Sequence, residues 1–181
     1  LVAVTGLMKR SGVTTIAAGL AHRLSETGDG NVLLVDMTKS QGSSQQFLKG
    51  EAVCGIDELL DTRQNAQVQD NLYVVVGPSQ SDQLSRNLPQ RFSKLVPKLK
   101  ASDFDYIIFD MPPVSQISIT PRLASFMDLV LLVVESERSD RDVAQRAVKL
   151  LSESKVRLGA VLNRVRFYVP RRLDQDSLSE W

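Results

Sequence analysis

The first residues able to do chemistry lie in a loop between an apolar segment and an alanine-rich one. The loop covers residues 4–15 and contains Gly12, followed two positions later by the hydroxyl side chain of Thr14. A loop of this kind at the start of a helix binds phosphate, because backbone N–H groups and the helix dipole attract anionic oxygens. The sequence therefore predicts a nucleotide site at the start of the first helix.

The residue between Gly12 and Thr14 departs from this pattern. Phosphate-binding loops of nucleoside triphosphatases have a lysine at this position, whereas this chain has Val13. The lysine and a magnesium ion stabilise charge on the transferred phosphoryl group, and losing one such group typically costs about 100- to 1,000-fold in rate. Lys9 and Arg10 lie inside the loop and leave three alternatives open. They replace the missing charge, they fill and block the phosphate cradle, or they lie in solvent.

Two acids close apolar segments further along the chain. Asp36 ends the run over residues 32–36, and Asp110 ends the run over residues 106–110. Parallel strands bring such ends to the rim where a phosphate-binding loop lies, and an acid there can hold magnesium or act as a base. We therefore predict that Thr14, Asp36 and Asp110 form a metal site, and that an active enzyme would use Asp36, Asp110 and Lys9. The alternative is that both acids only cap turns and that Thr14 caps the helix.

Composition bounds the classes of function. The chain has 181 residues, of which 43% are hydrophobic and 24% charged, as is usual for one globular domain. Its net charge of +1 gives no overall attraction to nucleic acid, which we do not expect as a partner. A single cysteine, Cys54, excludes a disulfide framework and suits a reducing cytoplasmic setting. No apolar run approaches the ~20 residues that a membrane helix needs.

Strand and helix patterns alternate along the chain. This order predicts an α/β fold with a mainly parallel sheet and helices on both faces. The predicted strands cover residues 1–4, 32–36, 72–76, 106–110, 129–134 and 159–163, and the predicted helices cover residues 12–26, 55–60, 89–100 and 141–154.

These segments resemble the cytoplasmic domain of the bacterial tyrosine kinases of capsule and exopolysaccharide systems, the BY-kinases. The resemblance covers essentially the whole chain, and the same P-loop group contains the partition and septum-positioning ATPases. Residues 5–14 resemble the Walker A loop, residues 32–36 the Walker A′ motif, and residues 105–114 the Walker B motif with its Pro-Pro turn. Residues 159–165 resemble the last strand, in which Asn163 matches a residue near the adenine base.

The resemblance implies a three-layer P-loop fold over residues 1–166, followed by a basic tail over residues 167–181. It implies ATP or ADP with magnesium as ligands, although the altered loop leaves open that no nucleotide binds. It also implies a cytoplasmic protein held at the inner membrane by a membrane-embedded polysaccharide chain-length or co-polymerase protein, and self-association into rings or dimers. The residues that would contact nucleotide are Gly6, Ser11, Gly12, Val13, Thr14, Thr15 and Asn163.

The chain departs from this family in its loop and in its second acidic motif. Lys9 and Arg10 stand where the family has proline and a small residue, in addition to the change at Val13. Thr38 and Ser40 replace an acid and an arginine that usually follow Asp36. The changes at Val13, Thr38 and Ser40 remove charges that a kinase uses.

Tyrosines form a third departure, because the family's phosphorylated tail has a tyrosine cluster and this chain has three dispersed tyrosines. Tyr73 and Tyr106 fall in predicted strands, where we expect them to be packed, and Tyr168 falls in the tail. The sequence therefore indicates a degenerate family member, a regulatory or scaffold subunit of exopolysaccharide synthesis or export without tyrosine kinase activity. Two alternatives stay open: a slow ATPase or kinase that uses Lys9 or Arg10, and a positioning module like the partition ATPases.

Overall fold

A seven-stranded sheet forms the centre of the chain. The structure, a computed structural model, describes residues 1–27, 30–38, 56, 66–77 and 88–166. Its strands are β1 (Val2–Gly6), β2 (Asn31–Asp36), β3 (Gln67–Gln69), β4 (Leu72–Val76), β5 (Phe104–Asp110), β6 (Leu129–Glu135) and β7 (Arg157–Asn163). Its helices are α1 (Val13–Glu26), α2 (Leu88–Lys100), α3 (Ile119–Ala124) and α4 (Arg141–Ser152).

The strands lie in the order β3-β4-β2-β5-β1-β6-β7. Every neighbouring pair is parallel except β3 and β4, which are antiparallel. The predicted α/β fold with a mainly parallel sheet is therefore confirmed. The sequence patterns missed β3 and α3, both of which are too short to show a clear hydrophobic period.

Apolar side chains on both faces of the sheet explain its central strands. Leu33 and Leu34 of β2 are adjacent in sequence and both fully buried, so they point to opposite faces and each face is covered. One apolar cluster contains the buried residues of α1, and a second contains those of α2, α3 and α4. These clusters give the three layers predicted from the sequence.

Strand register decides which residues meet at the functional rim. Asp36 pairs in register with Asp110 across β2 and β5, and Glu135 pairs with Asn163 across β6 and β7. The backbone N–H of Met111 donates to the Val4 carbonyl, which holds the end of β5 beside β1. The carboxyl ends of five strands therefore lie around the start of α1.

Some predictions fall outside the described residues. Of the helix predicted over residues 55–60, only Ile56 is described, and it is helical and buried. The predicted tail over residues 167–181 lies wholly outside. Within the described ranges, none of the helices combines the length and the hydropathy that crossing a membrane requires.

The two strand tyrosines differ in their surroundings. Tyr73 is half-buried and packs edge-on against Phe104 with ring centroids 5.2 Å apart, as expected. The expectation is wrong for Tyr106, which is 43% exposed. Full burial along β5 begins only at Ile107, and Asp105 and Tyr106 before it are exposed.

Candidate functional site

The loop between β1 and α1 has the conformation that its glycines predict. Gly12 precedes α1 with a φ of 92°, a left-handed conformation that favours glycine. Its carbonyl accepts the first hydrogen bond of the helix from Ile16, at 3.0 Å. Arg10 has a φ of 66° although it is not glycine, and such backbone strain concentrates at functional loops. The loop is thus a tight turn that leads directly into the helix.

Asn163 lies against this turn. Its side-chain amide Nδ2 donates to the Ser11 carbonyl at 2.8 Å. A Cβ atom on Gly12 would lie 2.3 Å from the same nitrogen, so only glycine fits there. The structure therefore brings Asn163, from the last described strand, to the phosphate-binding loop, whereas its match to a residue near the adenine base stays a prediction.

Val13 lies inside the protein. It is 8% exposed and belongs to the apolar cluster of α1 and the sheet. A Cβ atom added to Gly6 would lie 2.8 Å from the Val13 Cγ2 and 2.5 Å from the Ser11 Oγ. The loop therefore packs tightly against Gly6. Val13 thus supplies packing to the loop but no polar group to a ligand.

The other predicted loop residues differ in exposure. Thr14 is half-buried and Thr15 is exposed. The Oγ of Ser11 is buried and has no hydrogen-bond partner among the described residues. Lys9 and Arg10 are both exposed, which argues against the alternative that they fill and block the cradle.

The two predicted acids stand side by side but in different environments. Asp36 is 4% exposed, and its Oδ1 accepts hydrogen bonds from the backbone N–H and the hydroxyl of Thr38, each at 2.8 Å. Asp110 is 1% exposed, and neither of its oxygens accepts a hydrogen bond of ordinary geometry from the described residues. Asp36 therefore caps the turn that follows it, as the alternative expected, whereas Asp110 caps no turn among the described residues.

Asp110 has a strongly shifted protonation equilibrium. Burial raises the pKa of Asp110 to about 7, the nearby Thr14 hydroxyl opposes the shift, and the charge of Asp36 adds to it. A buried carboxylate of this kind is costly unless a cation or a donor approaches it. The two acids are therefore suited to binding a cation. A cation would offset the repulsion between the two carboxylates and would contact the oxygens of Asp110.

The polar contacts that shape the loop after Asp110 were missed from the sequence. Thr5 and Thr120 both donate their hydroxyls to the Pro112 carbonyl, at 2.8 and 2.7 Å. The backbone N–H of Val114 donates to the Gly6 carbonyl at 2.9 Å. These bonds fasten the Pro-Pro segment to the start of the phosphate-binding loop, and no motif in the sequence marks the two threonines.

An ion pair between a buried glutamate and two partly exposed arginines, next to Asn163, was also missed. Glu135 is 4% exposed and accepts hydrogen bonds from Arg164 at 2.8 Å and from Arg138 at 3.4 Å. The Arg164 bond is the largest cause that lowers the pKa of Glu135. Arg164, the residue after β7, is therefore held against the end of β6 by this ion pair.

These residues fit a magnesium-bound nucleotide in part. Two buried acids and Thr14 are oxygen donors of the kind that magnesium prefers, and the two bare oxygens of Asp110 lack partners among the described residues. The left-handed Gly12 and the start of α1 form a cradle of backbone N–H groups. The position of the usual lysine is filled by apolar packing, so the site has oxygen donors and helix-start N–H groups but lacks the lysine that assists phosphoryl transfer in P-loop enzymes.

Comparison of sequences finds relatives among bacterial proteins named as tyrosine-protein kinases, although no family model matches the chain. The tyrosine-protein kinase CpsD of Streptococcus agalactiae is 26% identical over 175 residues, which cover 91% of this chain and 75% of that protein. EpsB of Ralstonia solanacearum, provisionally named a tyrosine-protein kinase, is 29% identical over 173 residues. That match covers 90% of this chain and 22% of the longer EpsB.

Solved structures share the fold. The chimerical protein CapA2B2 has a TM-score of 0.72 at 24% identity, covering 92% of this chain and 76% of that one. The Aquifex aeolicus MinC:MinD complex has a TM-score of 0.71 at 24% identity, and the match covers 94% of this chain and 71% of that one. The kinase domain of the Escherichia coli tyrosine kinase ETK has a TM-score of 0.66 at 21% identity, and the match covers 93% of this chain and 70% of that one. The chain is therefore similar to bacterial tyrosine-protein kinases along most of its length, as its motifs predicted, and has the P-loop fold of the MinD and ParA ATPases.

Proposed function

We propose that this chain is a regulatory or scaffold subunit of exopolysaccharide or capsule synthesis, with a nucleotide-binding cradle and without tyrosine kinase activity. The observation that carries the proposal is the burial of Val13, 8% exposed within an apolar cluster. The isopropyl group of Val13 cannot donate a hydrogen bond to a phosphate oxygen. It also cannot neutralise the charge on the γ-phosphoryl group during its transfer. The similarity to CpsD supports the biological setting.

The remaining groups of the site suit binding better than turnover. The N–H groups at the start of α1 and the loop around Gly12 attract phosphate whatever side chain stands at position 13. Asp36, Asp110 and Thr14 would hold a magnesium ion, which when bound neutralises charge on phosphate oxygens. Adenine nucleotide would then act as a ligand that fixes the conformation of the domain, and its γ-phosphate would remain in place.

A partner at the membrane follows from the same proposal. We infer that the domain works in the cytoplasm and meets the inner membrane through a polysaccharide chain-length or co-polymerase protein, with self-association into rings or dimers. The balanced net charge of +1 gives no support to a nucleic-acid partner.

A second candidate function is slow ATP hydrolysis or phosphoryl transfer. It is favoured by the intact pair of Asp36 and Asp110, and by the exposure of Lys9 and Arg10, which leaves both side chains free to reach a bound phosphate. A positioning module of the MinD type has only the likeness of fold in its favour.

Release of phosphate from MgATP separates the first two candidates. Under the proposal, the natural chain releases phosphate at the rate of the Asp110→Asn variant, which lacks the metal-binding carboxylate, and Lys9→Ala changes nothing. Turnover above that background which Lys9→Ala or Arg10→Ala abolishes would overturn the proposal and establish the enzyme. Lys94→Ala, an exposed lysine on α2, is the matched control for removing a cation.

A further inference from the structure

The outer side of α4 has two parallel rows of side chains. Spacings of three and four residues place side chains in line along one face of a helix. The apolar row consists of Val143, Ala147 and Leu150. The charged row consists of Asp142, Arg146, Lys149 and Glu153. An apolar row flanked by a charged one is typical of a helix that packs against another helix, and α4 already uses Leu151 and Ala147 to reach the core.

A groove runs beside the apolar row. Val143 and Leu150 on one side and Val114 on the other line a cavity of about 580 Å³, which Arg146 and Lys149 also line. Val143 is 38% exposed, and Ile117, three residues after Val114, is 87% exposed. Exposed apolar side chains of this size next to an apolar groove mark interaction surfaces. The groove has room for several apolar side chains of a partner.

The order of charges along the row decides which partner fits. It reads negative, positive, positive, negative from Asp142 to Glu153. A second copy of α4 would place like charges together in either direction, because the order is the same read forwards and backwards. Like charges in opposition are unfavourable, so a dimer through this face is disfavoured. Within the described part of the chain, Arg146 and Lys149 have no ion pair of their own.

We propose that the groove between α4 and the segment after Asp110 binds an amphipathic helix of a partner protein, with apolar residues along one side and an acidic centre flanked by basic residues. The row spans eleven residue steps, or about 17 Å of helix, so about three turns of the partner face it. The apolar side fills the groove, and the acidic centre meets Arg146 and Lys149.

The groove also lies close to the nucleotide site. Val114, which lines it, donates its N–H to the Gly6 carbonyl at the start of the phosphate-binding loop. A bound helix would therefore contact a segment that is one hydrogen bond from the loop. The docking surface itself does not rest on nucleotide binding, so its test is made without nucleotide and can fail or succeed independently of the proposed function.

Two designed peptides of identical composition test the proposal. Each is a labelled helix with leucines along one side, and the four charged positions read Lys-Glu-Glu-Lys in one and Glu-Lys-Lys-Glu in the other. Fluorescence anisotropy at low salt measures their affinities for the natural chain. We expect the first peptide to bind at least about tenfold more tightly, since electrostatic complementarity governs specificity. Equal affinities, or no binding by the first peptide at about 1 mM, would overturn the proposal.

Variants show whether the peptide lies where the charges place it. The double variant Arg146→Glu with Lys149→Glu makes the whole row acidic, so each peptide has two favourable and two unfavourable pairs and the preference disappears. Val143→Asp puts a charge in the groove and weakens the first peptide. Lys94→Glu, at an exposed position of α2, retains the full preference. A preference that survives the double variant would place the peptide elsewhere and refute the groove.

Discussion

The side-chain amide of Asn163 donates a 2.8 Å hydrogen bond to the Ser11 carbonyl and so joins the end of β7 to the phosphate-binding loop. The two residues are 152 positions apart in the chain. Gly12, the next residue, has no room for a side chain beneath that amide. The loop is therefore held from outside by a strand end, through a contact that does not involve the side chain of Val13.

Replacing Gly12 by alanine should destabilise the fold. The residue has a φ of 92°, and a Cβ would come within 2.3 Å of the Asn163 amide nitrogen. The left-handed backbone alone costs a non-glycine residue about 1–2 kcal/mol, to which the clash adds. Urea unfolding measures the loss, and Gly12→Ala combined with Asn163→Ala should recover only the part due to the clash.

Gly19→Ala is the matched control for this change. Gly19 lies within α1 and has no atom within 4 Å of an added Cβ, so alanine should stabilise the helix by about 1 kcal/mol. If Gly12→Ala were as harmless as Gly19→Ala, the loop would not have the conformation described.

Asp110→Asn should become increasingly stabilising as the pH rises. The pKa of Asp110 is raised by burial, from 3.8 to about 7, so the unfolded chain loses this proton before the folded chain does. The natural protein therefore loses stability between about pH 4 and pH 7 because of this group. The difference in free energy of unfolding between Asp110→Asn and the natural chain should grow over that range, level off above about pH 7, and reach a few kcal/mol.

Asp70→Asn removes an exposed carboxylate and serves as the comparison. Urea midpoints at pH 4, 5.5 and 7 are sufficient to follow the trend. A constant difference between Asp110→Asn and the natural chain across these pH values would mean that Asp110 has a partner or solvent access that the structure does not have.

Arg164→Met should destabilise the protein more than Arg138→Met. Arg164 donates to the buried Glu135 at 2.8 Å, whereas Arg138 lies at 3.4 Å with a side chain that is 71% exposed. Losing Arg164 leaves a buried carboxylate with the weaker partner. Thermal unfolding of the two variants gives the order directly.

Acid should reduce the effect of Arg164→Met. The pKa of Glu135 is lowered, first by the hydrogen bond from Arg164, so the ion pair contributes stability above the unfolded pKa near 4.5 and loses it as the pH falls through the folded value. The difference between natural chain and variant should shrink at pH 3. Equal destabilisation by both arginine variants at pH 7 would show that neither bond is specific.

Sequence patterns predicted the parts of the site that follow from strand ends. Asp36 and Asp110 each end a continuous apolar run, and the carboxyl ends of parallel strands meet at one rim, so their proximity could be predicted. The contacts of Asn163 with Ser11 and of Glu135 with Arg164 depend on the register of β6 and β7. β7 is an edge strand without a fully buried residue, so its hydrophobic pattern does not fix its register against β6 to one residue.

The role of Val13 required the structure for a different reason. A valine at the lysine position could have been exposed in the loop or packed against neighbouring apolar side chains, and the sequence alone does not distinguish the two. Its exposure of 8% within an apolar cluster settles which of the two holds.

Under the proposed function, the phosphate-binding loop can still bind nucleotide and lacks only the positive charge of the usual lysine. Titration calorimetry of MgATP with the natural chain, Val13→Met and Val13→Lys tests this statement most directly. Methionine lengthens the side chain without adding charge and is the matched control. A hydrogen bond to a charged group contributes about 1.5–3 kcal/mol, so Val13→Lys should bind at least about tenfold more tightly than the other two, which should agree. Equal affinities for all three chains, with circular dichroism spectra that coincide, would contradict the account.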